Sequence, residues 1–197
     1  MIHENWGYVA AVMNLVGVVT YLVATVRGTA RPNRVTWFVL SIAPMVAFAS
    51  MLSKDVSLAQ SAMTLSAGLS PLMIFITTFF VKHPAWKIER FDLVCGALAI
   101  VGIFLWWITG EGNIAIVFSI LSDGLAFFPT LVKAYKYPET ESPWAFIIGV
   151  VACVLAVLTI TQWDFAHYGF PVYLVAANAV ASLLIYCKLG DRIRESS

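Results

Sequence analysis

Asp123 is the residue with most to explain, because it sits in the run IVFSILSDGLAFFPTLV with no other charged residue between Glu111 and Lys133. An ionised carboxylate at the centre of a bilayer costs about 2.5 to 3.5 kcal/mol even on lenient insertion scales, so such a residue faces a protein interior and more often serves function than structure. It can hold a polar solute, or take up and release a proton as a cavity turns from dry to wet. The structural alternative is that it hydrogen-bonds to Asn14 or a serine and ties two helices together. At about 1.5 Å per residue, Asn14 and Asn178 each lie about 12 Å into their own apolar runs, at the level of Asp123. Each suits ligand contact or a helix-pair tie equally well. Ser66 joins this set, and Phe127, one helical turn beyond Asp123, offers a ring to a cargo.

The elements that carry these residues follow from composition. Of 197 residues 60% are apolar and 12% charged, against about 25% charged in a soluble domain. Mean hydropathy is +0.85. Such a chain cannot hide its apolar side chains from water, which excludes a cytosolic enzyme, a disulfide scaffold and a disordered tail. The formal net charge of +1 offers no basic field to nucleic acid. Charges and turn residues divide the chain into seven stretches of membrane-spanning length: Trp6 to Val26, Val35 to Ser53, Leu58 to Val81, Phe91 to Thr109, Ile114 to Tyr135, Trp144 to Gln162 and Phe170 to Cys187. Runs this long and without alternation are helical, so the fold class is an all-α membrane protein of seven transmembrane helices.

Eleven of the twelve Lys and Arg residues fall on one side of this frame, all but Lys54. Basic segments stay in the cytoplasm, so the N-terminus is expected outside and the C-terminus inside. Because its arginines follow it, the first stretch reads as a retained anchor and not a cleaved signal. Trp37, Trp86 and Trp144 are expected in the inner aromatic belt, and Trp6, Trp106, Trp107 and Trp163 in the outer one.

An internal repeat is visible. Asn14 to Trp37 aligns with Asp123 to Trp144, so that Asn14 falls on Asp123, Leu22-Val23 on Leu131-Val132, Arg27 on Lys136 and Trp37 on Trp144. Ser66 falls opposite Asn178 and Ser70 opposite Ser182. Three helices plus one inverting helix precede the second copy, which makes the repeats parallel: a 3+1+3 arrangement with a first three-helix bundle at 1–83, a linking helix at 84–112, and a second bundle with a short cytoplasmic tail at 113–197. Paired across the pseudo-twofold axis, Asn14 and Asp123, and likewise Ser66 and Asn178, would meet at the midplane, where transporters bind cargo.

This architecture resembles the SWEET and PQ-loop superfamily of small transporters. Pro129-Thr130, followed by KAYKYPETES and Trp144, stands where that family carries a Pro-Gln pair and a basic loop; Thr20-Tyr21, followed by RGTARPNRVTW, holds the matching place in the first half. Neither half has the Gln, and the first lacks the Pro. The resemblance implies a carrier working by alternating access.

Pro44, Pro71 and Pro129 remove backbone hydrogen bonds within their spans and can act as hinges or simply shape the bundle. Gly17, Gly68, Gly102, Gly124 and Gly149 read as close-packing points. Tyr21, Phe128 and Tyr173 could stack on a cargo, but aromatic filling is ordinary in such bundles. Glu139 and Glu141 are expected in a solvated network with Lys133 and Lys136, and Asp92 as a packing charge. Cys95, Cys153 and Cys187 have neither disulfide nor metal spacing. His3, His83 and His167 fall at termini or loops on both sides, too scattered for a metal centre. The seventh span has Asn178 where a retinal protein needs a lysine, and no nucleophile set or phosphate loop appears.

The expectation is therefore not an enzyme but a multi-pass protein of the plasma or inner membrane, without cofactor or metal. It would transport a small polar solute (a sugar, nucleoside, vitamin-like or amino-acid-like molecule) with Asp123 available for proton coupling. Its partners are that small-molecule substrate and the lipid bilayer, with no nucleic acid, and a homo-oligomer is left open. The alternative is a non-transporting receptor or assembly factor, since a similar bundle is found in the KDEL receptors and fold does not settle function.

Overall fold

The computed structural model describes residues 2–81, 86–109 and 112–188. Lys82, His83, Arg192, Arg194, the surroundings of Gly102 and the Trp106 side chain lie outside the described residues. Within them are seven α-helices and no strand: α1 (Trp6–Val26), α2 (Arg34–Leu52), α3 (Leu58–Thr77), α4 (Arg90–Thr109), α5 (Gly112–Lys136), α6 (Pro143–Leu158) and α7 (Phe165–Tyr186), with a 3-10 turn at Pro138–Thr140. Five of them, α1, α2, α3, α5 and α7, are long and apolar enough to cross a membrane. Helix α1 turns Val12, Val16, Val19 and Val23 outward. That exposed apolar stripe, at helical spacing, is consistent with an integral membrane protein.

Local signals set the helix ends. Gly28 adopts a positive φ of 78° and stops α1, and the N–H groups of Thr29 and Ala30 then fold back onto the Ala24 carbonyl. The Asn33 side chain accepts from Val35 and Thr36 and opens α2, while Ser57 accepts from Gln60 and opens α3. Helix α3 stops at Thr77, four residues short of the expected Val81. Helix α7 begins at Phe165, five residues before the expected Phe170, because Asp164 caps it by accepting from the His167 N–H at 3.1 Å. His167 is thus a buried residue of the first turn of α7 and not a loop residue, with its Nδ1 2.7 Å from Asp164. Asp92 likewise works locally, accepting from the Glu89 N–H at 2.8 Å near the start of α4.

Helix α3 packs against both α1 and α2, and α7 against both α5 and α6. Among the described residues the backbones of α1 and α2 do not approach each other, nor do those of α5 and α6. The halves meet crosswise, α1 on α6 and α2 on α5, while α4 lies along α5 and touches α2. Small residues permit the close approaches. A Cβ at Gly7 would come within 1.9 Å of the Ala59 carbonyl oxygen on α3. Gly17 and Gly68 are less extreme, with a Cβ there meeting the side chains of Ile148 at 3.1 Å and Met45 at 2.8 Å.

Candidate functional site

A cavity of about 100 Å³ lies where the two halves meet. Helical periodicity explains its walls. On α1, Asn14, Val18 and Tyr21 recur at i, i+4 and i+7; on α5, Asp123 and Phe127 at i, i+4; on α2, Trp37, Leu40 and Pro44 at i, i+3, i+7. Ser70, Pro71 and Ile74 of α3, Phe146 and Cys153 of α6, and Leu174 and Asn178 of α7 are among the others that line it. Six of the eight residues singled out from sequence, Asn14, Asp123, Asn178, Phe127, Pro44 and Pro71, therefore line one space. Ser66 and Pro129 are buried but do not.

The hydrogen bonds tie each half internally. Asn14 Nδ2 donates to Ser70 Oγ at 2.9 Å and to Ser66 Oγ at 3.2 Å, so Ser66 stands behind Asn14 and positions it. Asp123, only 5% exposed, accepts from the Tyr173 hydroxyl at 2.7 Å. It bonds neither Asn14 nor a serine among the described residues; an α5 to α7 bond answers the α1 to α3 bond. Asn178 Nδ2 donates to the Leu174 carbonyl at 2.9 Å. Its amide lies flat on α6, where a Cβ on Gly149 would meet Asn178 Oδ1 at 2.6 Å. Gly149 is the residue that makes room for it.

An aromatic chain runs along one side of the cavity. Trp37 and Tyr21 have ring centroids 4.9 Å apart, Tyr21 and Phe146 6.3 Å, and Phe146 and Phe127 5.9 Å. Trp37 is buried here and does not lie in an interfacial belt. Depth along the sequence placed it correctly near a helix end, but not the face of α2 that carries it. Phe128 points away and is 49% exposed against Phe91.

At the end of the bundle bearing the 27–33 and 137–142 loops, three groups close on one another. Lys133 Nζ donates to Glu141 Oε1 at 2.6 Å and to the Arg31 carbonyl at 2.6 Å, and the Tyr21 hydroxyl donates to Glu141 Oε2 at 2.6 Å. The Lys133 ammonium also sits 4.9 Å over the Trp86 ring. This corrects the solvated network expected for Glu141, since the Lys133 and Glu141 side chains are 4% and 1% exposed. The loops fold inward over the helix ends and desolvate both charges, each of which gains further hydrogen bonds in return. Across the cavity, buried Gln60 of α3 donates to the Thr159 carbonyl at 3.0 Å and to Thr161 Oγ1 at 3.1 Å. Bonds between the halves therefore flank the cavity at both ends. Among the described residues no three His, Cys, Asp or Glu side chains converge to hold a metal ion.

No family model matches the chain, and neither a curated protein nor a solved structure matches it.

Proposed function

We propose that this protein is a membrane carrier of a small polar solute, with two parallel three-helix bundles joined by α4. The observation that carries the reading is a single cavity to which Asn14 of one half and Asp123 and Asn178 of the other all contribute. Polar groups from both repeats around a midplane space are what alternating access requires. The paired contacts of α3 with α1 and α2, and of α7 with α5 and α6, support the 3+1+3 arrangement. The bias of basic residues supports an outward N-terminus and an inward C-terminus.

On this reading the Tyr21, Glu141 and Lys133 cluster is the cytoplasmic gate and the Gln60 contacts are the outer one. Pro44 and Pro71, which line the cavity, and Pro129, buried beside it, are the hinges. Asp123 is the proton-coupling group. A scaffold with its chemistry on loops would fill that volume with apolar side chains, whereas Asn14, Asp123 and Asn178 line it, so that alternative is not favoured. Uptake into proteoliposomes of labelled sugars, nucleosides and amino acids, with and without an imposed pH gradient, tests the proposal. Solute flux should appear with the parent and fall with Asp123→Asn. Absence of flux for all of these and for small organic cations would refute the carrier; pH-driven flux unchanged in the variant would remove the proton role.

A further inference from the structure

We propose that the cargo is a small organic cation, an amine or quaternary ammonium held between the Asp123 carboxylate and the aromatic chain; this rests on the carrier reading. Its basis is the charge and the hydrogen-bonding groups left around the cavity. Both N–H groups of the Asn14 amide are already spent on Ser66 and Ser70, which leaves its oxygen as an acceptor. Asp123 has one oxygen held by Tyr173 and no other hydrogen-bond partner among the described residues. The Asn178 amide has given one N–H to a backbone carbonyl. Among the described residues no Lys, Arg or His lines the cavity. Donors remain on the second Asn178 N–H, the Ser70 hydroxyl and the Trp37 Nε1, which has no hydrogen-bond partner among the described residues, but of the lining side chains Asp123 alone is a carboxylic acid able to carry a full negative charge.

The apolar walls point the same way. Asp123 and Phe127 are one turn apart on α5, so a positive group beside the carboxylate lies near that ring and near Phe146 behind it. The rings of Tyr21 and Trp37 continue the wall. Aromatic faces carry negative quadrupole charge and attract a desolvated cation, the arrangement used to recognise quaternary ammonium groups. An anion would meet an uncompensated carboxylate. A sugar brings no positive charge to offset the charge of the carboxylate or to use the aromatic faces.

Thermal shift and calorimetry on the purified full chain test this with tetramethylammonium, choline and tetraethylammonium, each against its uncharged carbon isostere, and with a hexose and a nucleoside as neutral solutes. At least one cation should bind about tenfold or more tightly than its isostere. Binding should weaken about tenfold or more in Asp123→Asn and severalfold in Phe127→Leu, with both variants checked for a cooperative melt without ligand. Isosteres that bind as tightly as the cations overturn the proposal, as does cation binding unaffected by Phe127→Leu. A neutral solute that binds and is lost in Asp123→Asn, while no cation binds, overturns the cargo class but leaves the carrier standing. If no solute binds and proteoliposomes show no flux, both fall.

Discussion

The Tyr21 hydroxyl donates to Glu141 Oε2 at 2.6 Å, a bond between residues 120 positions apart that joins the cavity wall to the loop between α5 and α6. The same carboxylate accepts from Lys133, whose ammonium also reaches the Arg31 carbonyl. One carboxylate thus gathers a cavity-lining side chain, a buried lysine and the loop between α1 and α2. Any motion that opens this end of the cavity must break that cluster.

Removing one member of a buried ion pair leaves the other charge without compensation, at a cost of about 3–5 kcal/mol, whereas replacing both with apolar groups is often neutral or stabilising. Glu141→Leu and Lys133→Met should therefore each melt well below the parent in detergent, and the double variant should recover most of the loss. Tyr21→Phe, which removes one hydrogen bond to a charged group, should cost about 1.5–3 kcal/mol. Single variants that melt with the parent would mean that the pair is solvated after all.

Gly149 and Asn178 should be coupled. A methyl group on Gly149 would stand 2.6 Å from Asn178 Oδ1, so Gly149→Ala must displace the amide or separate α6 from α7, an overpacking cost of about 1–3 kcal/mol. Asn178→Ala removes the obstacle, and the double variant should be more stable than Gly149→Ala alone. A double-mutant cycle on melting free energies measures this; strict additivity would show that the contact carries no energy.

Much of the cavity was legible in the chain because lipid makes polarity expensive: Asn14, Asp123 and Asn178 had to face inward whatever the packing. Phe127 followed from its place one turn beyond Asp123. Tyr21 and Trp37 were harder to assign, since an aromatic side chain is equally at home facing lipid, a belt or a cavity, and no local pattern separates the three. Glu141 was misread for a different reason. Its burial depends on loops from three parts of the chain closing around Lys133, and loop composition alone describes a solvated surface. Hydropathy also hid the start of α7, where Asp164 and His167 read as a polar loop although together they form a cap.

Cys153 offers a probe of gating, because it lines the cavity and is fully buried. With Cys95 and Cys187 changed to Ala, its thiol should react slowly with a maleimide in proteoliposomes. Each neutral hydrogen bond lost shifts a closed-to-open balance by about 1 kcal/mol, or about fivefold in open population, and a bond to a charged group by about 1.5–3 kcal/mol, or about tenfold and more. On the proposed orientation, Gln60→Ala, which removes two neutral hydrogen bonds, should raise labelling from the outside by about tenfold or more, and Tyr21→Phe, which removes a bond to the Glu141 carboxylate, should raise labelling from the cytoplasmic side by at least as much. Equal acceleration from both sides in either variant would separate these contacts from gating.

Asp164 gives a pH dependence of known sign. Its carboxyl lies below the ordinary carboxylate range because the His167 side chain bonds to it, with the His167 backbone N–H adding to the effect. A group whose folded value is lowered stabilises the protein above its unfolded value, and that contribution disappears as pH falls through the folded one. Losing an N-cap acceptor costs about 1 kcal/mol. Asp164→Ala should therefore melt lower than the parent near neutral pH, with the gap narrowing as the medium is made acidic through the carboxylate range. Asp164→Asn, which keeps an acceptor but cannot titrate, should hold much of the stability while losing that part of the acid sensitivity. Melting curves of the three proteins from neutral to acidic pH decide it: a gap between parent and Asp164→Ala that widens on acidification would reverse the sign and remove Asp164 as the cap.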